Sequence, residues 1–319
     1  MSGDQLPDYD ELTGGDGGPD RSTWGLFGEA DEVGTLNLIG PGQVAAAATL
    51  VRQGRVFPLN WDVDKPSPAV LGRRSPVHTV LTSPRGKDDY YDSFYPQASS
   101  QWDSLSHVCH PDVGYYNGVP AEQTSGFSGH RLDIQAWSRR GIAGRFVLLD
   151  IARHRERTGR PLDPGTREAI GAAGLDEVMR AQGVASAAGD ILLLRFGWIS
   201  WYESLGAEAR ERLGDGRQFP APGLAADEEV ARWLWNNRVA AVAADCPALE
   251  AMPFDMRQAD GFLHYRLIPL LGMAVGEMFA LDGLAEHCAQ TAVYEGLFVS
   301  APIQKAGGVG SPANAVALL

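Results

Sequence analysis

Between Tyr95 and His110 the chain crowds amides, hydroxyls, a carboxylate, two imidazoles and a thiol into one short span: Gln97-Ala98-Ser99-Ser100-Gln101-Trp102-Asp103-Ser104-Leu105-Ser106-His107-Val108-Cys109-His110. Each such group costs free energy when buried without a partner, so a segment this polar reads as a site rather than as core. Asp103 and His107 are spaced to share one face if the segment turns as a helix. A carboxylate that orients an imidazole is suited to proton transfer. The plainer alternative is a polar turn between strands in which Asp103 caps a helix. Far along the chain, His264 opens a second polar cluster, and Glu277 lies between Gly276 and Met278 inside an apolar stretch. A carboxylate there is either paired or functional, because a lone buried charge is costly. Cys109 reads as packing: a nucleophilic thiol needs a lowered pKa and a base in reach, and the flanking Val108 and His110 would point away from it in a strand.

These residues need elements to hold them. Pro41 opens a helix that carries Val44, Ala47, Leu50 and Val51 at helical spacing and stops at Gly54. Segments 55–61 and 77–82 alternate as strands, with His78 as a structural group on the second. The run from Lys87 to Tyr95 is rich in Tyr and Phe, side chains that supply apolar walls and a polar tip for a planar substrate. Tyr95, Gln101 and Trp102 are therefore expected to contact substrate, as is Asn117, whose Asn117-Gly118 turn is expected to lie over the site. Continuous apolar runs at 146–151, 191–196 and 239–244 read as buried strands. Between them lie a helix over 166–183 and another from the N-cap Asp227 to about 237. Strand ends in such sheets face ligands, which makes Asp245 a pocket candidate. A helix over 263–271, disturbed by Pro269, would carry His264. The alternation implies an α/β single domain over 23–319, preceded by a flexible acidic arm over 1–22.

The totals exclude several functions. A net charge of −13 with scattered basic residues leaves no electrostatic footprint for nucleic acid. Three Cys in 319 residues provide no disulfide framework and suit a reducing compartment. The amino-terminal residues lack the basic start and apolar run of a signal peptide, and the longest apolar run, 267–276, is too short to span a membrane. The expectation is a soluble cytoplasmic protein whose partner is a small molecule.

The span Gln97-x-Ser99-Ser100-Gln101-Trp102-Asp103-x-Leu105-x-His107 resembles the signature His-x-Gly-Thr-His-x-Asp-x-Pro-x-His of the putative cyclase family, which includes kynurenine formamidases and isatin hydrolases. Trp24-Gly25-Leu26-Phe27-Gly28, Gly34-Thr35-Leu36-Asn37-Leu38, the strands at 144–150 and 189–195, and His264 with Gly276-Glu277 resemble further parts of it. The resemblance implies a swivelling β/β/α fold, usually in a homodimer or homotetramer. It implies hydrolysis or ring closure of a cyclic amide, lactone or aryl formamide, on a substrate expected to be aromatic. By position it makes His107 the acid/base, and it makes Gln97, Gln101, Asp103, His264 and Glu277 the metal ligands. Two family imidazoles are thus amides here. An amide oxygen is a hard, weak donor, so no tightly bound zinc is expected, and at most a weakly held manganese or magnesium. The alternatives are a metal-free cyclase or dehydratase, and a ligand-binding relative without catalysis.

Overall fold

Apolar runs of strand length set the frame. In the computed structural model, which describes residues 6–15, 17–126 and 129–319, thirteen strands form in chain order. They are β1 (Val56–Pro58), β2 (Val77–Ser83), β3 (Gly86–Asp92), β4 (Gln101–Asp103), β5 (Ile142–Asp150), β6 (Ala169–Ile170) and β7 (Ile191–Arg195). There follow β8 (Gly223–Leu224), β9 (Ala241–Ala244), β10 (Ala274–Glu277), β11 (Glu295–Ser300), β12 (Gly310–Pro312) and β13 (Ala315–Leu318). Nine of them make one mixed sheet in the order β1-β13-β11-β5-β7-β9-β10-β4-β12. Its centre, β5-β7-β9-β10, is parallel, and antiparallel strands extend both sides. The central strands are buried almost throughout, as their unbroken apolar runs require once helices cover both faces. The result is a mixed α/β single domain, as the alternation of elements implies.

Several local signals act as read. Asp227 accepts the Val230 N–H at 3.0 Å to cap helix Glu228–Asn236, and Gly183 closes helix Ala172–Gln182 in the left-handed conformation. The first helix, Pro41–Ala48, starts where expected and ends earlier.

Three expectations are corrected. The described part of the amino-terminal segment is packed rather than a free arm: Leu6, Tyr9 and Leu12 are buried. Its acids find guanidinium partners on helix Glu228–Asn236 and just beyond, Asp10 with Arg232 at 2.9 Å and Asp8 with Arg238 at 3.1 Å. The Trp235 indole also donates to the Pro7 carbonyl at 3.0 Å. Residues 1–5 and 16 of that expected arm lie outside the described residues. The aromatic run at 87–95 builds an exposed hairpin of β2 and β3, not a pocket wall, with His78 paired to Asp89 at 2.8 Å. Asp245 does not face a cavity; both its oxygens accept backbone N–H groups, from Phe196 at 2.7 Å and Gly197 at 2.8 Å. No helix among the described residues is long and apolar enough to cross a membrane.

Candidate functional site

The polar span folds as a strand and a turn, not as the helix that the Asp103–His107 spacing suggested. Gln101, Trp102 and Asp103 form β4, paired with β10 on one side and β12 on the other. Side chains alternate along a strand, so Gln101 and Asp103 share one face and Trp102 takes the other. Trp102 is fully buried among Trp137, Phe279 and Phe298, its indole donating to Ser300 at 3.0 Å. Gly276, directly opposite on β10, leaves room for it: a Cβ there would lie 2.7 Å from Phe279 and 3.0 Å from Trp102. After β4 the chain turns, His107 N–H bonding to the Ser104 carbonyl at 3.0 Å, which returns the imidazole to the face of Asp103.

On that face the register sets Gln101 opposite Glu277, and the Gln101 amide donates to the Glu277 carboxylate. His264, on the short helical turn Leu263–Tyr265, is stacked on Phe262 with ring centroids 4.5 Å apart. Its Nε2 lies 3.2 Å from Glu277 and 3.8 Å from Asp103. His107 Nε2 lies 3.7 Å from Asp103. The structure thus gathers Asp103, His107, His264 and Glu277 into one cluster. It adds Glu250, which sequence reasoning missed: a fully buried carboxylate 2.7 Å from His264 Nδ1, an ion pair rather than a well-aligned hydrogen bond. A signal for it was present, because Glu250 interrupts the apolar run Ala248-Leu249-Glu250-Ala251-Met252 just as Glu277 interrupts its own.

The charges of the cluster follow from these distances. Burial opposes a charge on His264, yet Glu250, Asp103 and Glu277 overcome it and raise the pKa well above the ordinary value, so the ring is an imidazolium. Burial favours protonation of Asp103, but His107 and His264, both charged in acid where Asp103 titrates, outweigh it and hold the carboxyl at about 2. Burial also raises Glu277, and the nearby Asp103 adds to this against the pull of His264. His107 moves the other way: burial lowers it below the ordinary value, and Asp103 does not restore it, so its ring is neutral. Asp103 can only accept, so the Gln97 amide must turn its NH2 toward that carboxylate; the same nitrogen lies 3.0 Å from His107 Nδ1. Nδ1 is therefore an acceptor and Nε2 carries the proton.

Arg73, His107, Cys109, His264 and Glu277 line a cavity of about 380 Å³ whose apolar walls include Val108, Phe254, Phe262 and Tyr265. The Cys109 thiol there faces the His110 carbonyl at 3.7 Å, its one hydrogen-bond partner among the described residues, and burial raises its pKa. None of the four expected substrate contacts lines this cavity. Gln101 is buried beneath it, Trp102 is core, and Tyr95 lies outside at 40% exposure. Asn117, in the left-handed region at φ 55°, bonds Gly25 and Gly28 beside a separate, wider cavity of about 630 Å³ against the amino-terminal segment.

Asp103, His264 and Glu277 offer ligand atoms within 4.8 Å of one another, a grouping that can hold a metal ion. Gln101 Oε1 and Asp103 Oδ2 are buried with no hydrogen-bond partner, which fits an oxygen-seeking cation. Gln97 contributes differently, since its amide nitrogen is engaged by Asp103 and His107.

A family model described as putative cyclase matches residues 45–251. A crystal structure of a novel cyclase is similar at 31% identity and a TM-score of 0.81, covering 93% of this chain and 97% of that one. Isatin hydrolase A from Labrenzia aggregata, bound to benzyl benzoate, is similar in fold at 16% identity and a TM-score of 0.55, covering 87% of this chain and 96% of that one. An isatin hydrolase bound to the product analogue thioisatinate matches at 14% identity and 0.56, covering 87% and 95%. No curated protein matches the sequence.

Proposed function

Because the chain belongs to the putative cyclase family, we propose that it is a hydrolase-type enzyme that opens a cyclic amide or lactone, or cleaves an aryl formamide, on an aromatic small molecule. The observation that carries this reading is the convergence of a neutral His107, His264 and Glu277 on one cavity with aromatic walls, with Asp103 buried against them. Perturbed titratable groups gathered in a cleft are the mark of acid/base work.

His107 is the acid/base. Its Nε2 proton is uncommitted, since 3.7 Å to Asp103 is too long for a hydrogen bond. In the resting state Nε2–H therefore donates a hydrogen bond to the oxygen of the attacked carbonyl, and the ring gives a proton to the departing nitrogen or oxygen only after it has gained the one released by the attacking water. Gln97 and Asp103 hold the ring in that tautomer. Glu277, its carboxyl raised by burial, takes the proton of the attacking water. In the metal-free site His264 is charged and keeps three carboxylates together by ion pairing. A divalent cation held by Asp103, Glu277 and the Gln101 amide oxygen, joined by His264 only once its Nε2 proton is displaced, would polarise the carbonyl and acidify water. One imidazole among hard oxygens suits manganese or magnesium, weakly held, better than zinc.

A second reading, proton transfer without metal, is favoured by one observation. The His264 imidazolium already occupies the centre of the carboxylates, and the amides of Gln97 and Gln101 donate to them. Turnover of an aryl formamide and a cyclic imide by wild type and by His107→Ala, with and without added manganese, tests both. Full turnover by the Ala variant removes His107 from the mechanism; wild-type turnover that neither added manganese nor a chelator changes selects the metal-free form.

A further inference from the structure

Arg73 lines the same cavity and has no task in the chemistry above. Its Nη1 is buried and has no hydrogen-bond partner, and no acid among the described residues lies within ion-pair distance of it. The carboxylates nearest the chemistry are committed elsewhere. Asp103 accepts from the Gln97 amide and faces the His264 imidazolium at 3.8 Å. Glu277 is taken by Gln101, His264 and the Leu249 N–H, and Glu250 by His264. Arg73 is nonetheless close enough for its charge to disfavour protonation of His107, Asp103 and Glu277. A guanidinium always carries its charge, and desolvating one without an anion is costly.

Its position is also fixed. The loop that carries it is tied down at both ends. The Tyr202 hydroxyl bonds both the N–H and the carbonyl of Ser67 at 2.9 Å, and Ser75 Oγ accepts from Ala69 N–H at 3.2 Å. Arg73 N–H closes a turn on the Val70 carbonyl at 3.2 Å, with the Val70 side chain buried beneath it. An unpaired planar fork is thus held at the rim of a space walled by Leu71, Val108, Phe254, Met256, Phe262 and Tyr265. Aromatic walls with one guanidinium, and with the lining carboxylate of Glu277 already engaged by Gln101, His264 and the Leu249 N–H, match a planar ring bearing a carboxylate, which a fork binds through two parallel hydrogen bonds.

We infer that Arg73 is the carboxylate-binding residue of this cavity, and that the ligand is an aromatic acid. The inference rests on the proposed function only in taking the cavity as the place where substrate or product sits. The carboxylate is either one that the substrate carries or the one that ring opening creates.

Binding of benzoate and of its neutral isostere benzamide, followed by calorimetry or NMR titration, needs no turnover and so separates this inference from the catalytic one. Wild type should bind benzoate about 10–100-fold more tightly than benzamide, the worth of a charge-assisted pair. Arg73→Met should erase that preference, and Arg73→Lys, which keeps the charge but not the fork, should retain part of it. Thermal unfolding of both variants shows that they are folded. Equal affinity for the two ligands in wild type overturns the assignment, and so does a preference that survives in Arg73→Met. A KM for a carboxylated aryl formamide well below that of formanilide supports the assignment with a substrate carboxylate. Equal KM values together with inhibition by benzoate support it with a product carboxylate.

Discussion

Replacing Glu250 by Gln removes one charge with almost no change of shape, and the structure says what that charge does. Glu250 is fully buried and lies 2.7 Å from His264 Nδ1. At that distance and an effective dielectric of about 20, the attraction is about 6 kcal/mol before desolvation. Glu277 at 3.2 Å and Asp103 at 3.8 Å remain in the variant and keep part of the stabilisation of the imidazolium. Breaking a buried pair by removing one partner costs about 3–5 kcal/mol, and that is the loss expected here. For a chain of this size it lowers the melting temperature by roughly 4–8 °C. The pH dependence identifies the cause. In wild type the His264 pKa is raised on folding, so its stabilising contribution is complete below the unfolded value of about 6.5 and is lost as pH rises through the raised folded value. In Glu250→Gln, burial is less opposed and the folded value drops. The gap between the two proteins should therefore be widest near pH 6 and shrink in alkali. Differential scanning calorimetry across pH measures it, and NMR of the imidazole nitrogens follows His264 directly. A melting temperature that hardly moves, or a gap that is the same at both ends of the pH range, would refute the claim that Glu250 holds the charge on His264.

Other outcomes follow from the same geometry. His107→Ala should lower turnover by roughly 10²–10⁴-fold and leave the melting temperature close to wild type, since its imidazole is partly exposed to the cavity. Cys109→Ser should do far less, because no base lies beside that thiol; a dead Cys109 variant beside an active His107 variant would move the nucleophile to sulfur. Gly276→Ala should destabilise by roughly 1–3 kcal/mol, because its Cβ would lie 2.9 Å from the Ala243 Cβ and 3.0 Å from Trp102 in a packed sheet, a cost read from chemical unfolding. Element analysis of the purified protein should find less than one zinc per chain, with Gln97→His plus Gln101→His raising zinc retention; stoichiometric zinc in the unmodified protein would contradict the reading of the two amides.

The sequence was enough to single out the span from Gln97 to His107 and the distant pair His264 and Glu277 as candidates, and the structure gathers Asp103, His107, His264 and Glu277 into one cluster. Singling them out needs only residue types, because polar groups in apolar surroundings must find each other or face water. Apolar runs of strand length also marked β5, β7 and β9, and the caps Asp227 and Gly183 marked helix ends, since these signals act over a few neighbouring residues. The direction of each side chain was not local information. Trp102 could be read as a pocket wall until β4 paired with β10 and set the alternation that turns it into the core and turns Gln101 and Asp103 away from it. The aromatic run at 87–95 looked like a binding surface until its hairpin partner held it away from the cavity. Glu250 and Arg73 join the site from loops remote in sequence, and nothing near either residue in the chain names its partner. The charge state of the cluster was decided last, and only in three dimensions. Burial alone would leave both imidazoles neutral; it prevails at His107, whose ring nitrogen is 3.7 Å from Asp103, and is overcome at His264 by Glu250, Asp103 and Glu277.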